Sequence, residues 1–373
     1  MSSAEIEAAL SDEPEDELVR VELEESERKR RTGRRRVIGI VVSVAVIAVV
    51  FVFALPRIAN YRDVWEVVQG LSWPWIVGLL VASSLDIATY GPPWVASLPG
   101  LSYVHATRVT LASTGLSMVA PGGAAVGIAT SFAMLKAWGL RGRPVGLAVA
   151  VTSVWNQLLI LGVPIVALAG LVAEGGRSRT LELVAVISLA VFGVVVAAFA
   201  IGLSSARLAR RVGDRAARTA NWLKRLFRRA PVAWNGGAFA RFRDEAIVLI
   251  RRRWAFLTFA TLANHLTVFL VLLVSLRAVD IPRSHVTIVE AFAAWALARV
   301  LGSIPITPGG VGFVELGLTG ALVAFGASST EAVAATLIYR VLTTLPTVLL
   351  GLLAAATWKA GRAPPSQVSE SAG

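Results

Sequence analysis

Long apolar runs, several of eighteen or more residues, recur along the chain and are separated by short stretches rich in Arg, Gly and Pro. Runs of that length match the roughly 30 Å hydrocarbon core of a bilayer and predict transmembrane helices. Full spans are expected at Val37–Leu55, Trp73–Tyr90, Val145–Val172, Leu183–Leu203, Trp254–Val279 and Ala332–Trp358. Two other apolar regions are interrupted. His105–Ala120 runs into Pro121-Gly122-Gly123 and resumes as Ala124–Trp138, and Thr287–Ile304 is followed by Pro308-Gly309-Gly310 and then Val311–Gly326. As a helix, Ala124–Trp138 would be only about 22 Å long, too short to cross. The pattern predicts an all-α polytopic membrane protein of about six full transmembrane helices plus two Pro-Gly-Gly re-entrant helical hairpins. If the hairpin arms cross, it becomes about ten spans.

The two breaks are related. At an offset of 187 positions Gly115 falls on Gly302, Leu135 on Leu322, Ala137 on Ala324, Trp138 on Phe325 and Gly139 on Gly326. Paired interruptions in two halves of a membrane protein point to a binding site at the bilayer midplane. The spans near residues 73 and 145 bracket the first hairpin, and those near 254 and 332 bracket the second with the opposite sense. The unpaired span Leu183–Leu203 supplies the flip, so the halves are expected to be inverted repeats with one hairpin entering from each face.

Charge sets the orientation and divides the chain. Residues 1–27 carry eleven Asp/Glu against Arg20, and Arg28 to Arg36 add seven Lys/Arg before the first span. Residues 1–36 therefore read as a disordered acidic, then basic, cytoplasmic tail. The first membrane half is 37–203. Residues 204–253 form a loop with fourteen Lys/Arg and three acids, in which Leu208, Val212, Trp222, Leu223, Leu226 and Phe227 recur at helical spacing. That suits a basic amphipathic helix on the inner leaflet better than a nucleic-acid surface. The second half is 254–358, and 359–373 is a cytoplasmic C-terminal tail. The net charge of +12 is thus membrane-flanking, with anionic lipid headgroups as the expected partners and no nucleic acid.

Charges inside the hydrocarbon are costly and so are candidates for function. Arg299 precedes the second break, Glu315 follows it, and Arg340 lies at a similar depth in the closing span. Glu315 can pair with either arginine, as a structural ion pair or as part of a ligand site. Broken helices leave backbone groups unpaired and aim half-helix dipoles inward, which with the arginines suits a phosphate. The candidate site is Arg299, Pro308, Gly309, Gly310, Gly312, Glu315 and Arg340. Secondary candidates are Pro121, Gly122, Gly123, Asp86, Asn156, Gln157, Asn264 and His265. The positions matching Arg299, Glu315 and Arg340 in the first half are Ala112, Ile128 and Ser153, so function should be asymmetric. The sequence has no cysteine, phosphate-loop motif, His-Glu-x-x-His or Gly-x-Ser-x-Gly. No metal, cofactor or enzymatic activity is expected.

Pro308-Gly309-Gly310-Val311-Gly312, Glu315 and the following Arg340 resemble the membrane domain of lysylphosphatidylglycerol synthases, which also occurs alone as flippase-like integral membrane proteins. The resemblance runs from about residue 37 to 358 and is most specific over 299–351. It implies a multi-pass plasma-membrane (bacterial or archaeal inner-membrane) protein moving anionic or aminoacylated phospholipid, or polyprenyl-phosphate-linked substrate, between leaflets. The alternative is a membrane subunit of a glycosyl- or aminoacyl-transferase acting on lipid-linked substrate. The soluble synthase domain has no counterpart before Gly373, which favours the stand-alone form. Gly127-Ile128-Ala129-Thr130 stand where that family often carries charges.

Overall fold

A computed structural model describes residues 61–120, 123–175, 179–226, 236–303 and 307–358, which are helical and contain no strand. Both terminal tails, the expected span Val37–Leu55, and Pro121 and Gly122 lie outside the described residues. Four helices are long and apolar enough to cross a bilayer: Trp73–Ser97, Gly142–Ala173, Ala240–Ala278 and Ser329–Thr357.

The chain opens with α1 (Tyr61–Gln69) and α2 (Trp73–Ala88), followed by a short α3 (Pro92–Ser97) begun by the proline pair at its first turn. The first hairpin is α4 (Tyr103–Val119) and α5 (Gly123–Ala137). Then come α6 (Gly142–Ala173), the unpaired α7 (Arg179–Ser204), basic α8 (Ala206–Leu226) and long α9 (Gly236–Ala278). The second hairpin is α10 (Ile288–Ser303), a tight turn at Pro308–Gly310, and α11 (Phe313–Phe325); α12 (Ser329–Thr357) closes the bundle.

The repeat is visible in helix ends as well as in sequence. At the end of α5, Leu140 N–H donates to Leu135 O (3.2 Å) and Gly139 N–H to Lys136 O (3.1 Å). At the end of α11, Ala327 N–H donates to Leu322 O (3.0 Å) and Gly326 N–H to Val323 O (3.1 Å), the same pairs displaced by the repeat offset. Both turns place glycine in the left-handed region, φ 84° at Gly139 and 118° at Gly326. This is the double bond of a Schellman termination, which satisfies carbonyls that a helix end would otherwise leave bare.

The hairpins enter from opposite ends of the bundle, with α12 as the ruler. Its first residues directly follow the base of the second hairpin, where Gly326 lies against the His285 carbonyl. Its far end meets the base of the first hairpin, where Trp138 Nε1 donates to Trp358 O at 3.4 Å. The tips meet between these ends: a Cβ placed on Gly309 would lie 3.4 Å from Met118 Cγ, at the end of α4. No arm exceeds the 17 residues of α4, about 25 Å, so each is shorter than a full crossing.

Small residues let the halves close up, as expected where lipid supplies no hydrophobic drive between helices. Gly115 of α4 and Gly351 of α12 bring the two backbones into contact, with Gly351 directly over the Leu111 carbonyl. Pro346 lacks the N–H that would bond back to Leu342, and Ser83 Oγ of α2 donates to that freed carbonyl at 2.9 Å.

The basic loop is organised differently from the expected lone surface helix. α9 is one continuous helix of 43 residues, about 64 Å long and twice a bilayer core, so its first part stands beyond the apolar segment. α8 packs along α9, burying Gly213 and Ala217, while Trp222 is exposed. The side chains of Leu208, Val212, Leu223, Leu226 and Phe227 lie outside the described ones.

Candidate functional site

The second break is built by glycine and closed by a salt bridge. Gly309, Gly310 and Gly312 have φ of 63°, 66° and 93°, a left-handed run that side chains with a Cβ resist. Gly310 also packs on Gly302, where an added Cβ would lie 2.9 Å from the Gly302 Cα. Glu315 sits at the third position of α11 and reaches back so that its Oε2 accepts the Gly312 N–H at 2.6 Å. Its Oε1 accepts Arg340 Nε at 2.6 Å, and Arg340 Nη2 donates to Gly309 O at 3.0 Å. One acid and one arginine from two helices thus hold both the carbonyl and the amide of the turn. Glu315 is 2% exposed and has both oxygens occupied. Of the two partners the sequence allowed it, the structure chooses Arg340.

Arg299, on α10, stands differently. Its Nη2 is 3.3 Å from His265 Nδ1 of α9, and its guanidinium carbon lies 5.9 Å from the centre of the Trp295 ring. Its Nε is buried without a hydrogen-bond partner, and no carboxylate forms an ion pair with it among the described residues. A guanidinium in a low-dielectric bundle without an ion-pair contact is an expensive arrangement.

Both arginines border a cavity of about 390 Å³ between the two repeats. Asp86, Asn156 and Asn264 join them in its wall; Gln157 is exposed and lies outside it. His265 supports Arg299 from behind. Of the glycine break itself, Pro308, Gly309, Gly310 and Gly312 stay out of the lining, as does Glu315. Gly123, in the first break, packs under the Ser117 carbonyl, where a Cβ would meet it at 3.0 Å. The sequence-predicted residues therefore separate into a clamp at the second break and a cavity wall carrying Arg299.

Half of the wall residues bear hydroxyls, a feature that went unnoticed in the sequence. α4 contributes Thr110, Ser113, Thr114 and Ser117, and α6 contributes Thr152, Ser153 and Asn156. The signal was present: the α4 set falls at i, i+3, i+4 and i+7, a polar stripe on one face of an otherwise apolar arm. On α12 the cavity face is Tyr339, Arg340, Thr343 and Thr344, the first three matching Thr152, Ser153 and Asn156 by the repeat offset. The other face of the same α12 turns, Leu337, Ile338, Val341 and Leu342, lines an apolar groove shared with α1 and α2.

No curated protein matches the chain. The family model described as "Lysylphosphatidylglycerol synthase TM region" matches residues 37–351. With that match running over most of the sequence, and over both hairpins and the cavity between them, the chain belongs to the lysylphosphatidylglycerol synthase transmembrane-region family.

Proposed function

We infer that the protein moves a lipid with a phosphate-bearing headgroup between the leaflets of its membrane. The observation that carries this is Arg299, a guanidinium that lines the central cavity with no carboxylate partner and a buried, unsatisfied Nε. A bound phosphate supplies the missing anion and accepts that donor, and arginine's planar fork is suited to it. The hydroxyl-lined walls replace water around the headgroup, and the cavity volume suits a headgroup rather than a whole lipid. The apolar groove on the opposite face of the same α12 turns offers acyl chains a path alongside. The inverted hairpins, whose tips meet beside the cavity, favour access from either leaflet in turn.

The test is transfer of a fluorescent short-chain phosphatidylglycerol in proteoliposomes of the full chain. Hydrogen bonds to charged groups are worth about 1.5–3 kcal/mol, so Arg299→Ala is expected to slow transfer by roughly 10- to 100-fold. Unchanged transfer in a folded Arg299→Ala protein overturns the reading.

A further inference from the structure

Asp86 of α2 is a second carboxylate deep in the bundle, 2% exposed, and it takes no part in the clamp at the second break. Its contacts differ from those of Glu315. The Tyr90 hydroxyl lies 3.2 Å from its Oδ2 and the Thr267 hydroxyl 3.3 Å from its Oδ1, both long for an oxygen donor to a carboxylate. Neither donor is committed to it. The Thr267 hydrogen has a nearer acceptor in Asn264 O at 2.9 Å, and the Tyr90 hydroxyl is 2.9 Å from Thr347 Oγ1. A hydroxyl carries one hydrogen, so Asp86 lacks the donors that an ionised carboxylate demands in a buried site.

The ionisable groups around it complete the picture. Tyr90 lies just past the end of α2, His265 is on α9, Arg299 on α10, and Tyr339 and Arg340 on α12. Arg340 is held by Glu315. His265 is engaged by Arg299. That leaves Arg299 as the positive charge that acts on Asp86, through space and without contact. Asp86 and Arg299 border the same cavity, so an anion entering there competes for the one charge that balances Asp86.

We propose that Asp86 is a proton-binding group linked to the anion site at Arg299, taking up one proton from the cavity as a phosphate binds. The inference rests on the reading of Arg299 given above. With the phosphate in place, Arg299 is neutralised, and a charged Asp86 would face a like charge across the cavity; protonated, it donates to the Tyr90 or Thr267 oxygen instead. Protons and anionic headgroups then bind together, and a proton gradient gives transfer a direction.

The test uses the full chain in phosphatidylcholine vesicles, with fluorescent short-chain phosphatidylglycerol titrated from mildly acidic to mildly basic pH. Between the titration midpoint of the free protein and that of the complex, the wild-type protein is expected to lose up to about tenfold in apparent affinity per pH unit, the limiting slope for one linked proton. Asp86→Asn is expected to bind the probe with that slope removed. Thr267→Val combined with Tyr90→Phe keeps the carboxylate but removes its hydroxyl neighbours, and is expected to move the midpoint while keeping the slope. An Asp86→Asn protein that retains the slope overturns the proposal. So does a wild-type protein that binds without a slope; in both cases the anion reading of Arg299 stands. If Asp86→Asn does not fold, an unmoved midpoint in the hydroxyl variant overturns it. Wild-type protein that does not bind the probe at any pH removes the anion reading, and the proton linkage with it.

Discussion

Four charged side chains in the bundle are treated in three ways. Glu315 and Arg340 neutralise each other and close a backbone turn, Arg299 faces the cavity without an ion-pair partner, and Asp86, in the same wall, has only long contacts to hydroxyls. Removing one partner of a buried pair leaves the other charge uncompensated, so Glu315→Ala is expected to cost about 3–5 kcal/mol. Adding Arg340→Leu should return part of that loss, because the stranded guanidinium is then gone. Thermal unfolding of the single and double variants in detergent measures the coupling, and a Glu315→Ala protein as stable as wild type would show the clamp to be dispensable. Arg299→Ala removes a charge that has no ion pair but that also balances Asp86 through space, so the unfolding temperature should fall less than for Glu315→Ala. At this scale the sequence revealed which residues were costly but not how they would pair. Depth along two helices brought Glu315 within reach of both arginines, and the choice depended on how α11 and α12 are turned about their axes. The hydroxyl stripe of α4 was legible in its spacing, but Ser and Thr in a membrane helix bond so readily to their own backbone that spacing alone does not mark a site.

Between helices, glycine decides how closely two backbones approach. Gly115 and Gly302 occupy matching places in the repeat yet serve different contacts: Gly115 admits α12 at Gly351, whereas Gly302 admits Gly310 of its own hairpin. The correspondence in sequence marked both as important without telling the roles apart, because Gly115 meets a neighbour from far along the chain and Gly302 one from across its own turn. Gly351→Ala is expected to separate α4 from α12, since the new methyl would overlap the Leu111 carbonyl oxygen, a backbone atom that cannot turn aside. Gly320→Ala is the matched control: a Cβ there meets nothing within 4 Å, and alanine in an open helical position gains up to about 1 kcal/mol. Unfolding temperatures should fall for the first and hold or rise for the second; equal values would mean that the α4–α12 contact is not tight. Helix ends followed the sequence where glycine or proline set them, as at Gly139, Gly326 and Pro92. They departed from it at α9, where Arg251, Arg252 and Arg253 look like a boundary but are good helix formers, and the helix continues through them.

For the molecule as a whole, the arrangement that matters most is the opposed entry of the two hairpins. It follows from α12 running from one hairpin base to the other, and from the contact between Met118 and Gly309 at the tips. Transport through such a pair needs the two bases to lie on opposite sides of the membrane. A bundle in which both hairpins enter from one side would leave the cavity open to that side alone. Because the sequence contains no cysteine, each base can be marked with a single introduced thiol and no background. Arg141, beside the base of the first hairpin, and Arg283, beside the base of the second, are both exposed and form no ion pair among the described residues. Arg141→Cys and Arg283→Cys are therefore expected to react with a membrane-impermeant maleimide from opposite sides in sealed vesicles. The excess of Arg and Lys around the first hairpin predicts that the thiol at 141 faces the cytoplasm. Labelling of both from one side would exclude the inverted arrangement and would undo the case for alternating access to Arg299. Labelling from opposite sides with 141 outward would keep the repeat and reverse its sense, placing the basic pair α8 and α9 outside the cell against the charge rule.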